Sequence, residues 1–279
     1  MKANILDGKV ISRDLREKLK QTIKDLETPP SLAAIITSDD ESIKAYVKSK
    51  DKVCSEMGVL THNYYFPKDS KIEEILNLIG KLNDSPKISG ILLEFPLGEE
   101  IDKDRLVSAI LPEKDVDGIT PLNAGKLYAR KSCLIPCTAK GILKLIKHTG
   151  INISGKHAVV VGRSNIVGKP SAALLLNENA TVTICHSKTE NLKEETKRAD
   201  ILVSAAGRPN LITGDMIKKG AVVIDAGTTM VKGKLMGDVV FEEACEVASY
   251  ITPVPGGVGS MTTTMLIENL VEANILKCL

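Results

Sequence analysis

The sequence predicts an α/β fold of two α/β domains, the second a doubly wound parallel sheet. Three observations carry that expectation. The chain has 279 residues, close to twice the ~150 of a typical domain. Short apolar runs alternate with amphipathic segments along nearly all of it, and strands that alternate with helices build parallel βαβ units. One of those strands runs straight into a glycine turn and a helix start, Gly162 to Pro170.

From the N-terminus, Ile11 to Leu26 carries apolar residues at helical spacing and stops at Pro29 and Pro30, after which Leu32 to Thr37 reads as a buried strand. Helix Ser42 to Met57 leads to strand His62 to Phe66, helix Ile72 to Leu82 and strand Ile88 to Phe95, ended by Pro96. A loop rich in Pro, Gly and Asp spans Pro112 to Gly125. Helix Thr138 to His148 then opens a second alternation, with strands His157 to Val161, Thr181 to Cys185, Ile201 to Ala205, Val222 to Asp225 and Ser249 to Val254. A last amphipathic helix, Met261 to Leu276, is long enough to pack back on the first domain.

Composition narrows the function classes. With 37 basic against 35 acidic residues the net charge is +2, so no global field recruits nucleic acid or an anionic membrane. Five Tyr, three Phe and no Trp leave little for a base-stacking platform. The six cysteines form no CxxC pair and read as reduced intracellular thiols, without a metal. Asp7 interrupts what would be the apolar core of a signal peptide. The expectation is a cytoplasmic protein.

In the second half, strand Ala158 to Val161 enters Gly162-Arg163-Ser164-Asn165-Ile166-Val167-Gly168-Lys169-Pro170. A glycine turn at a helix N-terminus offers backbone N–H groups and a favourable dipole to a phosphate. The phosphate-loop pattern GxxxxGK[ST] fails, because five residues separate the glycines and Pro170 stands where a hydroxyl is needed. An NAD site would place an acid at the end of the second strand. Here that strand ends in Cys185-His186-Ser187-Lys188, with Arg163 nearby, which favours NADP. Gly207 and Thr228 fall at later strand ends, where a dinucleotide lies in such sheets. A plain tight helix start explains the same glycines.

In the first half, Ile43, Tyr46, Val47, Val53, Cys54 and Met57 form a helical stripe whose gap is filled by Lys50. Tyr46 shares that face four residues earlier. Desolvation on an apolar face favours the neutral amine, which can serve in proton transfer; a lysine that snorkels to water is the alternative. Glu94 intrudes in the apolar run Ile91 to Phe95 at a strand's carboxyl end. Asp117, in Asp115-Val116-Asp117-Gly118, can accept two N–H bonds from an aminopyrimidine-like ring, or simply form a turn. The run Pro255, Gly256 and Gly257 lets backbone approach a ligand, and also reads as a turn into the last helix.

Taken together, the chain resembles the bifunctional methylenetetrahydrofolate dehydrogenase/cyclohydrolase family. The motifs run in order: YVKSK, GILLEFPL, PEKDVDG, PCTAKG, VVVGRSNIVGKP, TVTICHSKT, AVVIDAG, GDVVF and TPVPGGVGSMT. The resemblance implies a folate-binding catalytic domain (1–136 plus 262–279), a Rossmann-like NADP domain (137–261), a cleft that holds both ligands, and a homodimer. It implies that Tyr46 packs on the folate ring, Lys50 is the central catalytic amine and Asp117 the pterin anchor, with Pro255, Gly256 and Gly257 near the substrate. Gly162, Arg163, Ser164, Ile166, Gly168, His186, Ser187, Gly207 and Thr228 correspond to positions around NADP.

Four positions depart from the family pattern: Glu94 in place of Gln, Ala139 and Ser260 in place of Pro, and Thr228 in place of an aliphatic residue. Glutamine would hydrogen-bond the lysine without charge, whereas a carboxylate favours the ammonium. The expectation is retained hydride transfer with a cyclohydrolase step altered in rate or pH optimum. Rival readings are a dehydrogenase without the hydrolytic step, a binding protein without turnover, and a Rossmann dehydrogenase acting on another substrate.

Overall fold

The computed structural model describes residues 2–38, 40–67, 69–95, 97 and 101–276; Pro96, expected to end a strand, and Cys278 lie outside them. In chain order the elements are β1 (Asn4–Ile5), α1 (Gly8–Lys24), β2 (Ser31–Ile36), α2 (Glu41–Met57), β3 (Leu60–Tyr65), α3 (Ile72–Asp84), β4 (Gly90–Glu94), α4 (Lys103–Ala109), α5 (Pro121–Tyr128) and α6 (Cys137–His148). There follow β5 (His157–Val161), α7 (Gly168–Asn177), β6 (Thr181–Cys185), α8 (Leu192–Lys197), β7 (Ile201–Ser204), β8 (Val222–Asp225), β9 (Thr229–Val231), β10 (Lys234–Met236), α9 (Phe241–Val247), β11 (Tyr250–Ile251) and α10 (Thr262–Leu276). The chain divides into two compact units, Asp14–Cys137 with Thr263–Leu279, and Met1–Arg13 with Thr138–Thr262.

The first unit is built on a three-stranded parallel sheet in the order β3-β2-β4. Its central strand, SLAAII, is buried at every residue, as a parallel strand covered on both faces must be. Ala33, Ile35, Ile91 and Leu93 point to one face, where Ile75, Ile79 and Leu82 of α3 meet them at spacings of four and three. On the other face Ala34 and Ile36 pack with Ile43 and Val47 of α2.

Two short helices lie in or near the stretch read as a loop. Asp102 caps α4 through the N–H groups of Asp104 and Arg105, and Thr120 caps α5 at Asn123 with Pro121 in its first turn. They were missed because seven or eight residues give too little periodicity. The last helix returns to this unit: the Ser89 hydroxyl donates to Asn274 Oδ1 at 2.8 Å and Asn274 Nδ2 to Thr28 O at 3.2 Å.

The second unit carries a six-stranded sheet, β1-β11-β8-β7-β5-β6, with every pairing parallel. Asn4 and Ile5 pair with Tyr250 and Ile251, so residues 1–13, expected with the first domain, group with this unit. A two-residue strand whose partner lies about 245 positions away leaves no trace in local periodicity. β11 also ends at Ile251 and not at Val254, because Pro253 and Pro255 cannot donate to a ladder.

Among the described residues no helix is long and apolar enough to cross a membrane, and no group of three or more His, Cys, Asp or Glu is placed to hold a metal. Cys54, Cys133, Cys137, Cys185 and Cys245 are free thiols.

Candidate active site

In α2 the residues Ile43, Val47, Lys50, Cys54 and Met57 recur at spacings of four, three, four and three, and all are at most 9% exposed. That period puts them on one helix face, so the helix buries Lys50 along with its apolar neighbours. Lys50 does not snorkel: its side chain has no exposure, and Nζ donates to Glu94 Oε1 at 2.5 Å. Lys48 and Lys52, off the stripe, are exposed.

Glu94 is the last residue of β4, paired with Ile36 at the carboxyl end of the sheet, and is itself 7% exposed. The pair is a buried salt bridge, and a buried charge is tolerated only with its partner in place. Cys54, one turn beyond Lys50, has its thiol pushed up to about 12, chiefly by burial.

Tyr46 sits one turn before Lys50 and is 42% exposed. Desolvation at its hydroxyl end, followed by the Glu94 charge, pushes the phenol above its usual range, opposed by a hydrogen bond with Thr263. An exposed tyrosine can offer a surface on which a flat ligand stacks.

The two carboxylates of Asp115-Val116-Asp117-Gly118 divide the work. Asp115, 1% exposed, accepts from Ile119 N at 3.1 Å, Thr120 N at 2.7 Å and Asn123 Nδ2 at 2.9 Å, so it builds the loop. Asp117 has its carboxyl pushed up to about 7, by burial first and the Asp115 charge second, with a hydrogen bond to Cys137 opposing. Gly118 makes the turn at φ +67°, where a Cβ would lie 2.4 Å from Ile135 C. Asn269 of α10, fully buried, donates to Val116 O and Ile135 O, each at 2.8 Å, and so clamps both sides of this turn. Tyr46, Lys50, Glu94 and Asp117 thus lie together electrostatically in the first unit. Thr263 and Asn269 were not anticipated; nothing in the terminal helix marks them apart from its polar positions.

In the second unit, Gly162 at φ +132° and Gly168 have no room for a side chain. A Cβ would meet Ala205 O and Gly162 O respectively, each at 2.2 Å. Gly168 therefore serves packing between turn and helix. Ser164 Oγ accepts from Val167 N at 3.2 Å and Gly168 N at 3.3 Å, so what it can offer a ligand is its O–H.

A cavity of about 270 Å³ lies here, lined by Gly162, Arg163, Ser164, His186 and Ser187. Its second cation is Arg208, and Lys188 does not line it. The Lys188 backbone N–H turns back to His186 Nδ1 at 3.1 Å, which places the proton of a neutral His186 on Nε2. Closely approachable backbone, two guanidiniums and no carboxylate at the end of β6 fit a phosphorylated dinucleotide.

Thr228 does not share that cavity. It lines another of about 260 Å³ with Pro255, Gly256, Gly257 and Lys9, so these expected substrate residues belong to the second unit. Ile166, half-exposed, Gly168 and Gly207 line neither. Gly207, at φ +64°, shapes the turn after β7.

This is the architecture of nucleotide-dependent α/β enzymes, with a Rossmann-type sheet in one unit and ionisable side chains gathered in another. The sequence carries the same division. The chain belongs to the tetrahydrofolate dehydrogenase/cyclohydrolase family: residues 6–117 match its catalytic domain and residues 136–277 its NAD(P)-binding domain.

It is 51% identical over 271 residues to the bifunctional protein FolD of Clostridium novyi (strain NT), covering 96% of this chain and 98% of that one. The crystal structure of the bifunctional methylenetetrahydrofolate dehydrogenase/cyclohydrolase FolD from Campylobacter jejuni is 43% identical, with a TM-score of 0.96 over 98% of this chain and 99% of that one. That of the Trypanosoma brucei methylenetetrahydrofolate dehydrogenase-cyclohydrolase, complexed with NADP and an inhibitor, is 37% identical, with a TM-score of 0.94 over 100% and 99%.

Proposed function

We propose that this protein oxidises 5,10-methylenetetrahydrofolate to 5,10-methenyltetrahydrofolate with NADP and hydrolyses that product to 10-formyltetrahydrofolate. The observation that carries the reading is Lys50, a buried amine in a catalytic domain of this family, one helical turn from Tyr46 and paired with Glu94. Tyr46 offers the ring on which the folate stacks. Asp117, once ionised, accepts two N–H bonds from the aminopyrimidine edge and so orients the one-carbon bridge.

NADP, held by Gly162, Arg163, Ser164, His186 and Ser187, with Gly207, Ile166, Gly168 and Thr228 shaping the loops around it, supplies the hydride acceptor. The bridge loses a hydride with the electron pair of its C–H bond and becomes a cation. Water then adds to the cationic carbon and releases one proton to solvent, and the bond to N5 opens with its electron pair going to N5, which takes the remaining hydroxyl proton, to leave the formyl group on N10. Lys50 orients that water through its N–H groups. Pro255, Gly256 and Gly257 present backbone to the substrate side. The family resemblance and the near-zero net charge support a cytoplasmic homodimer with no nucleic-acid or membrane partner.

The test is NADPH formation from methylenetetrahydrofolate followed by absorbance, with acid quenching to trap the methenyl product and a separate assay of methenyl hydrolysis without nucleotide. NADPH formation faster with NADP than with NAD, and hydrolysis in the second assay, are expected. No reduction of either nucleotide would overturn the reading.

The 2.5 Å contact between Lys50 Nζ and Glu94 favours a second reading, in which oxidation is intact and hydrolysis is altered. An amine held in a salt bridge donates hydrogen bonds and does not take the proton of the attacking water. Glu94→Gln is expected to leave oxidation within about threefold while it changes the rate of hydrolysis by about tenfold, because it removes the charged partner of a buried amine. An unchanged hydrolysis rate would sink this second reading.

A further inference from the structure

Two buried carboxylates of the six-stranded unit have no part in the chemistry above. Asp225 ends β8 and is 4% exposed, and Asp238, just beyond the β9–β10 hairpin, is fully buried. A carboxylate so placed is costly unless donors surround it, and the donors here come from loops that line the two cavities.

Asp238 Oδ2 accepts from the Ser204 hydroxyl at 3.0 Å, Ala206 N at 2.6 Å and Gly207 N at 3.3 Å, and Oδ1 from Arg208 N at 2.8 Å. These residues form the end of β7 and the turn after it, and Ala206 and Arg208 line the cavity of about 270 Å³. The backbone N–H of Asp238 donates in turn to Asp225 Oδ1 at 3.0 Å, and that oxygen also accepts from Gly227 N at 2.9 Å. Asp225 Oδ2 accepts from Val239 N at 2.9 Å. Gly227 and Thr228 line the cavity of about 260 Å³.

The hydrogen bonds therefore run unbroken from the turn after β7, through Asp238 and Asp225, to the turn after β8. The packing leaves no slack, since a Cβ at Gly227 would lie 2.3 Å from Asp238 Oδ1 and one at Gly237 2.0 Å from Asp225 Oδ2.

We propose that Asp238 and Asp225 are positioning residues for the nucleotide: the pair braces the two strand-end turns at one separation, so that the turns meet the two ends of a single dinucleotide together. Asp238 lines neither cavity, and Asp225 lies in the wall of the second. Both act through backbone N–H groups, and an exposed hairpin in sequence thereby supplies the buried member of the brace. A flexible pair of turns would have to be ordered at the moment of binding, and that cost appears directly as lost affinity.

The inference rests on the functional reading above, and one internal control separates the two: methenyl hydrolysis requires no nucleotide. In Asp238→Asn the side chain keeps its shape, but its NH₂ group faces a backbone N–H. NADP affinity is measured by calorimetric titration, and methenyl hydrolysis on the same preparation. A rise in the NADP Kd of about tenfold or more, with hydrolysis within about twofold of the parent, is expected. An unchanged Kd would overturn the brace. Should Asp238→Asn lose hydrolysis as well, Ser204→Ala decides, because it removes one donor and leaves the backbone partners. There a Kd raised about two- to threefold with hydrolysis retained supports the brace, and an unchanged Kd overturns it. Failure of the parent protein to bind NADP would instead remove the functional reading itself.

Discussion

At the scale of single residues, the site depends on charges placed where the fold would prefer none. Asp117 shows the consequence for pH. Its carboxyl is raised from 3.8 to about 7, chiefly by burial. Above pH 7 it is ionised and can accept both N–H bonds of an aminopyrimidine ring; below, it is protonated and loses that capacity. The KM for methylenetetrahydrofolate is therefore expected to rise as pH falls through about 7, and Asp117→Asn to raise it above that pH and leave a flat profile, as read from initial rates across the pH range.

The stability effect has the opposite sign. Between 3.8 and about 7 the folded chain holds a proton on Asp117 that the unfolded chain has released, so this group's contribution falls as pH rises through that window. Asp117→Asn should therefore be more stable at neutral pH while binding substrate worse, a trade between stability and function. Lys50 and Glu94 differ in kind, since each is the other's compensation and removal of either strands a buried charge.

At the scale of elements, the terminal helix holds the folate side of the reading in place. Asn269 spans Val116 O and Ile135 O, the two backbone segments on either side of Asp117. Asn269→Ala leaves both carbonyls without that donor in a dry environment, and a buried polar group so stranded costs about 1–3 kcal/mol. Urea unfolding should show a loss of that size, together with a raised KM for the folate and an unchanged NADP Kd. A loss confined to stability, with KM unaltered, would show that the clamp does not position Asp117. Helix α2 contrasts with this, because its face was readable from the spacing of Ile43, Val47, Cys54 and Met57 alone. Asn269 offers no such pattern, since its partners lie 153 and 134 residues away.

For the whole molecule, legibility followed the range of the interaction. The alternation of strands and helices, the glycine turn at Gly162 and the lysine on an apolar stripe are local, and all could be read in order along the chain. Long-range pairings could not. β1 lies at the edge of the six-stranded sheet, so the first residues belong to the unit that otherwise begins at Thr138. In Asp115-Val116-Asp117 the sequence offers two equivalent carboxylates; only the loop's closure assigns one to structure and leaves the other free to titrate near neutrality. Arg208, not Lys188, lines the cavity beside Arg163, and its backbone N–H is held by Asp238.

By itself, then, the sequence determined the fold class and the family, since periodicity and short motifs are local properties of the chain. The tertiary structure alone decided which polar groups meet. It set Lys50 against Glu94, brought Asp117 beside Asp115 and Cys137, and joined two turns by hydrogen bonds through Asp238 and Asp225. Burial and hydrogen-bond distance arise only when segments far apart in the chain are packed together.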